Sequence, residues 1–200
     1  ILESLPEKFA FRCICAEPNL RFEVRIMQCK IKVTIGLCVK NCGATVKEAI
    51  DSIIDQDFPH ELMELIVVDG YSIDKTLSII KKALLNTDIK IKIFHENKGL
   101  GVARQIVVNN AGGDYIIWVD GDMVLSRDHV RKQVEFMDQN PTVGIAKGKY
   151  GIYPGAKLVA ILENADFIVD DKWRGKKTSK PLGTGGSIYR VKAIRPVSYT

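Results

Sequence analysis

Long apolar runs are missing from this sequence. No stretch approaches the roughly 18 residues of a membrane-spanning helix, and the apolar patch at 9–16 is short and interrupted by Arg12. Histidine is scarce. The three present, His60, His95 and His129, lack metal-ligand spacing, which assigns them to surface or packing positions. The five cysteines at 13, 15, 29, 38 and 42 form no C-x-x-C pair, so a zinc site is disfavoured. An odd number of cysteines without a secretory leader reads as reduced intracellular thiols, with Cys38 and Cys42 able in principle to react. Several motifs are also absent. There is no G-x-S-x-G nucleophile elbow, and Lys176-Lys-Thr178 ends like a P-loop but lacks the upstream glycine. The segment Gly99-x-Gly101-x-x-Arg104 lacks the third glycine of the dinucleotide fingerprint, which disfavours a nicotinamide enzyme.

What remains is a chain of 200 residues with a net charge of +5, enough for one domain with a substantial core. The positive balance favours an anionic partner such as a phosphorylated substrate or a lipid headgroup surface. Nothing supports nucleic acid. The chain begins at Ile1 rather than Met and stops soon after Ser187-Ile-Tyr-Arg190, so one or both ends are expected to be incomplete.

From residue 31 onward strands alternate with helices, while residues 1–30 give only a possible strand over 21–27. Ile31, Val33, Ile35, Leu37 and Val39 alternate with smaller or polar residues, the period of a strand. Asn41-Cys-Gly43 turns the chain into a helix carrying Val46, Ile50, Ile53 and Ile54, ended by Phe58-Pro59. Leu65-Ile-Val-Val68 is a second strand, ending at Asp69. A helix striped by Ile73, Leu77, Ile80 and Leu84 follows it, with Ser72 or Asp74 placed to cap it. A third strand runs through Ile89, Ile91 and Ile93 to Phe94. After Asn97 comes a helix over 100–111. The fourth strand, Ile116-Ile-Trp-Val119, delivers Asp120-Gly-Asp122 and is followed by a helix with Val130, Val134 and Met137, which Ser126 is placed to cap. Further on lie a predicted strand at 143–150 and an apolar helical stretch at 158–167. A basic run at 170–180 surrounds Trp173, and a glycine cluster at 183–186 opens another strand.

This alternation predicts an α/β protein, a mainly parallel sheet with helices on both faces. Ligands of such sheets bind at the carboxyl ends of the strands, where Asn41, Asp69, Asn97 and the Asp120–Asp122 pair are all placed. If the backbone stays extended, Asp120 and Asp122 point to one side and suit Mg²⁺ or Mn²⁺, with substrate phosphate oxygens completing the shell. An ordinary strand-end turn has the same Asp-Gly dipeptide. The run around Trp173 reads either as a solvated loop or as a basic flap over an anionic substrate.

Taken in order, these residues resemble the family 2 glycosyltransferases of the GT-A fold over 30–191. Val67-Val-Asp-Gly-Tyr-Ser-Ile-Asp-Lys-Thr76 resembles the family's V-D-x-x-S-x-D-x-T signature. Asn97-Lys-Gly-Leu-Gly-Val-Ala-Arg104 is similar to its N-x-G-x-x-x-A-R segment, Asp120-Gly-Asp122 to its D-x-D, and Gly183-Thr-Gly-Gly-Ser-Ile-Tyr-Arg190 to its acceptor-side glycine motif. The resemblance implies a GT-A core over 31–200 that binds a nucleoside diphosphate sugar through Asn41, Asp69, Ser72, Asp74, Asn97, Gly99, Arg104 and Asp120. It implies Mg²⁺ or Mn²⁺ on Asp122 and Asp120, and an acceptor side at Trp173, Gly185 and Gly186. Two departures stand out. Gly70 replaces a second aspartate, and the acidic E-D motif that holds the catalytic base is expected beyond Thr200.

The implied reaction is inverting, metal-dependent transfer to a lipid phosphate such as a polyprenyl phosphate, a lipid-linked saccharide or a polysaccharide, as in cell envelope glycan biosynthesis. The implied location is cytoplasmic, with basic loops suited to peripheral contact at the membrane face. Two alternatives are a catalytically inactive nucleotide-sugar-binding remnant and a sugar-phosphate nucleotidyltransferase; Leu37–Thr45 lacks the glycine-rich start of the latter.

Overall fold

The structure, a computed structural model, describes residues 30–148 and 184–195. The expected strand at 21–27, the stretch at 158–167, the basic run with Trp173 and the end of the strand predicted at 143–150 lie outside the described residues.

Six strands form one sheet in the order β3-β2-β1-β4-β6-β5. Its parallel part comprises β1 (Val33–Val39), β2 (Met63–Asp69), β3 (Lys90–His95) and β4 (Tyr115–Asp120). The short β6 (Ser187–Arg190) runs antiparallel to both β4 and β5 (Ile145–Lys147), so the sheet is mixed at that edge. The helices are α1 (Val46–Ile54), α2 (Thr76–Ala83), α3 (Leu100–Asn110) and α4 (His129–Gln139), with a single turn at Val191–Ile194. Among the described residues no helix is long and apolar enough to cross a membrane.

Strand alternation sorts side chains between the two faces. Odd-numbered residues such as Ile35, Leu37, Leu65, Val67, Ile117 and Val119 pack against Ile50 and Ile53 of α1, Ile80 of α2, and Val130, Val134 and Met137 of α4. Even-numbered Ile66, Val68, Ile116 and Trp118 pack against Ala103, Val107 and Val108 of α3. Helices therefore cover both faces, as the alternating pattern predicts. Gly36 belongs to this second face. A Cβ there would lie 2.8 Å from the Trp118 ring and 2.9 Å from Val107, so a strand residue without a side chain lets α3 close over the indole.

Two local expectations fail and a third is narrowed. Ile73 is 93% exposed because α2 starts only at Thr76, leaving it outside the stripe. Ser72 does not cap that helix; Asp74 does, accepting the Thr76 N–H at 2.9 Å. At α4 the carbonyl of Ser126, not its hydroxyl, receives the His129 N–H at 2.9 Å, and Gln56 Oε1 takes the Val130 N–H.

Candidate active site

Register brings the strand ends together. Val39 lies opposite Asp69, Cys38 opposite Asp120, and Asp69 opposite His95. At about 4.8 Å between neighbouring strands, Asp69 and Asp120 stand roughly 10 Å apart across the end of β1. That is a span suited to a nucleoside and its diphosphate.

Loops after β1 and β2 are laced into one another. Asn41, at φ +53, donates its N–H to Ser72 Oγ at 2.9 Å and accepts the Ile73 N–H on Oδ1 at 2.9 Å. Asparagine tolerates that left-handed backbone better than most residues. Asp74 accepts the Thr76 hydroxyl and N–H and the Gly43 N–H, and these donors hold its carboxyl below the usual carboxylate range. The Cys42 N–H donates to Thr76 Oγ1 at 2.7 Å. Asp69, 1% exposed, accepts the Ser72 hydroxyl at 2.6 Å and lies 3.4 Å from His95 Nδ1. His95 is a surface residue, as expected, that also borders the site, and its ring meets Tyr71 at 5.7 Å.

The end of β4 departs from the extended geometry assumed for its two aspartates. The strand stops at Asp120, residues 121–122 turn, and the Met123 N–H returns to the Asp120 carbonyl at 3.0 Å. The turn leaves Asp122 exposed and the Asp120 side chain 46% exposed. Thr45 of the first loop donates to the Gly121 carbonyl at 2.8 Å. Arg104, on α3, lies 3.9 Å from Asp120, stacks 5.7 Å from the Trp118 ring and donates to Thr184 Oγ1 at 2.5 Å. One guanidinium thus ties α3, the D-x-D turn and the glycine cluster together.

Gly185 and Gly186 reach the same place. A Cβ on Gly185 would come within 2.6 Å of Asp120 Oδ2, and the Gly186 N–H donates to the Trp118 carbonyl at 2.8 Å. Gln133 of α4 holds the Gly186 carbonyl at 2.7 Å beside His129, whose imidazole burial pushes down toward the neutral form. Among the described residues no group of three or more His, Cys, Asp or Glu side chains is gathered to hold a metal ion. Two carboxylates on a surface turn fit a hard cation that takes its other ligands from phosphate oxygens and water.

Between the ends of β1 and β2 and the start of α3 lies a cleft of about 280 Å³, lined by Cys38, Lys40, Gly70, Glu96, Asn97 and Gly99 among others. Gly99, at φ +111, begins α3 there, and its N–H donates to Glu96 Oε1 at 2.6 Å. Burial pushes the Cys38 thiol up to about 11, with Arg104 opposing and Asp120 and Glu96 adding to the shift, so Cys38 is an apolar floor rather than a reactive thiol. Glu96, His95, Lys40 and Cys38 were not singled out as site residues in the sequence. The signal available for Glu96 was its position one residue past a strand end, next to Asn97. A second hollow of about 560 Å³, between α4 and β5, is lined by Phe136, Val143 and Ile145 and carries none of these strand ends.

The model of glycosyl transferase family 2 matches residues 34–195. An uncharacterized glycosyltransferase of Haemophilus influenzae is 33% identical over 142 residues, covering 68% of this chain and 55% of its own length. The poly(ribitol-phosphate) beta-N-acetylglucosaminyltransferase TarS of Staphylococcus aureus is 27% identical over 111 residues, covering 55% of this chain and 19% of its own. The chain thus spans about half, or less, of the length of these relatives.

Among solved structures, the Pyrobaculum calidifontis mannosyltransferase PcManGT in complex with GDP-Man and Mn²⁺ superposes with a TM-score of 0.64 at 21% identity, over 80% of this chain and 44% of that one. TarS 1-349 in complex with UDP gives 0.59 at 18% identity, over 80% of this chain and 47% of that one. At these identities the likeness shows the GT-A fold alone. With a family model matched over most of its length, the chain belongs to glycosyl transferase family 2.

Proposed function

We propose that this chain binds a nucleoside diphosphate sugar and supplies the donor half of an inverting, metal-dependent glycosyl transfer. The observation that carries the reading is the convergence of four strand ends on one sheet edge, with a cleft of nucleoside size at one end and Asp120-Gly-Asp122 at the other. Base and ribose lie in the cleft beside Asn97 and Gly99. Asp69, Ser72, Asp74 and Asn41 fix the loops that shape it, and the diphosphate runs along the end of β1 toward the turn.

When bound, Mg²⁺ or Mn²⁺ on Asp122 and Asp120 neutralises charge on the departing diphosphate. Arg104 holds the Asp120 turn and adds a positive field nearby. The glycine cluster at 185–186 leaves the backbone bare beside Asp120, where an acceptor must approach. An acceptor hydroxyl would need a base to take its proton, a role given to none of the described carboxylates; a phosphate acceptor would not. The TarS name supports a polyol-phosphate or other envelope glycan as the acceptor class.

Calorimetric titration with UDP and GDP, with and without Mn²⁺, tests the donor site. Nucleotide binding should strengthen with Mn²⁺ and lose that gain in Asp122→Ala. Metal-independent binding, or an unaltered Asp122→Ala, would remove the turn from the site.

A further inference from the structure

Among the carboxylates of the site, Glu96 alone combines burial with a free acceptor facing the cleft. It follows β3 directly, and its N–H donates to the Asp69 carbonyl at 3.1 Å, which continues the ladder one residue beyond the strand. The side chain is turned inward and the residue is 8% exposed. Oε1 accepts the Gly99 N–H, whereas Oε2 has no hydrogen-bond partner among the described residues. Oε2 is not sealed from solvent, so a donor placed in the cleft can reach it. Asp69 is in the opposite condition: it is engaged by Ser72 and His95 and does not line the cleft.

Lys40 and Asn97 line the same cleft as Glu96. The stem of Lys40 lies along Gly70, and no carboxylate pairs with its ammonium among the described residues. The polar side chains therefore offer the Glu96 oxygen as an acceptor, the Lys40 ammonium as a donor and the Asn97 amide, which can turn its N–H₂ toward a carbonyl, within apolar walls that include Val39, Val68, Leu100 and Ala103. The complementary ligand is a flat ring with one N–H flanked by two carbonyls. Guanine presents two adjacent N–H groups and asks for both oxygens of a carboxylate, one of which is committed to Gly99. Cytosine would turn a bare ring nitrogen, itself an acceptor, toward the carboxylate.

We propose that Glu96 reads the donor base and that the base is a 2,4-dioxopyrimidine, with Glu96 Oε2 accepting the N3–H of uracil. The assignment rests on the donor-site reading above and narrows it to a uridine diphosphate class of sugar donor.

The test is titration of UDP, CDP and GDP, each with Mn²⁺, into the chain and into Glu96→Gln. The glutamine keeps an oxygen for the Gly99 N–H and replaces the free acceptor by an N–H₂ donor. The native chain should prefer UDP to CDP and GDP by roughly tenfold or more, the effect of one hydrogen bond to a charged group. In Glu96→Gln, UDP should weaken by about the same factor while CDP strengthens, reversing the preference. A merely structural Glu96 would weaken both ligands equally and leave their ratio unchanged, which overturns the assignment, as does a native preference for GDP. A ligand-side control needs no variant: 3-methyluridine diphosphate should bind the native chain at least about tenfold more weakly than UDP, and equal binding overturns the proposal. Failure of all three nucleotides to bind would overturn the donor-site reading itself, and the base assignment with it.

Discussion

Two carboxylates on β2 serve opposite ends of the sheet. Asp69 closes the strand at the site, whereas Glu64, wholly buried at its start, accepts the Thr34 hydroxyl at 2.7 Å and the Gly112 N–H and pairs with Lys92 at 2.9 Å. Burial works to raise the Glu64 carboxyl, but the Gly112, Thr34 and Lys92 partners together outweigh it and hold the group below its ordinary 4.5. Its ionised form therefore favours the fold above pH 4.5, and that contribution is lost as the pH falls through the lowered value. Glu64→Ala should cost about 3 kcal/mol in urea denaturation at neutral pH, since it strands buried donors and Lys92. Between Glu64→Gln and the native chain, the stability gap should narrow as the pH falls below 4.5 through the lowered Glu64 value; a constant gap would contradict the linkage. At the site, Gly185→Ala should displace the Asp120 carboxylate, abolishing the Mn²⁺-dependent gain in nucleotide affinity while leaving the melting temperature nearly unchanged.

Residues legible in the sequence were those that end an apolar run: Asp69 and Asp120 announce themselves because Leu65-Ile-Val-Val68 and Ile116-Ile-Trp-Val119 can only be buried strands. His95-Glu-Asn-Lys98 offers no such contrast. Four polar residues in a row hide which one turns inward, and only the register of β3 on β2 selects Glu96.

Among the elements, β1 through β4 and α1 through α4 follow from hydrophobic period, whereas β6 does not declare its direction. Four residues after a glycine cluster carry no information on polarity; the antiparallel pairing with β4 is set by tertiary contact. The misplaced start of α2 has a similar cause. Ile73 matches the helical stripe in spacing, but the hydrogen bonds of Asn41 and Asp74 hold the loop open until Thr76. Packing between elements gives a sharper test. Because a Cβ at position 36 would enter the Trp118 ring and Val107, Gly36→Ala should destabilise the fold by about 1–3 kcal/mol through overpacking of β1, β4 and α3. A lowered urea midpoint with an unchanged slope would record it, and an unchanged midpoint would show that α3 yields freely.

At the scale of the whole molecule, the parallel core and its carboxyl edge do what such sheets do generally: the helices fix strand ends, and loops too short to fold alone are held by neighbouring loops. The central claim is that one nucleotide spans this edge, with its base beside Glu96 and its diphosphate at Asp120-Gly-Asp122. Amide resonances of the isotope-labelled chain, followed first with UDP and then with traces of Mn²⁺, test it most directly. The account predicts UDP-induced shifts at Gly70, Glu96, Asn97 and Gly99, and paramagnetic broadening centred on Gly121, Asp122 and Gly185. Shifts concentrated on Phe136 and Ile145 in the hollow beside α4, or broadening remote from the turn after β4, would contradict it.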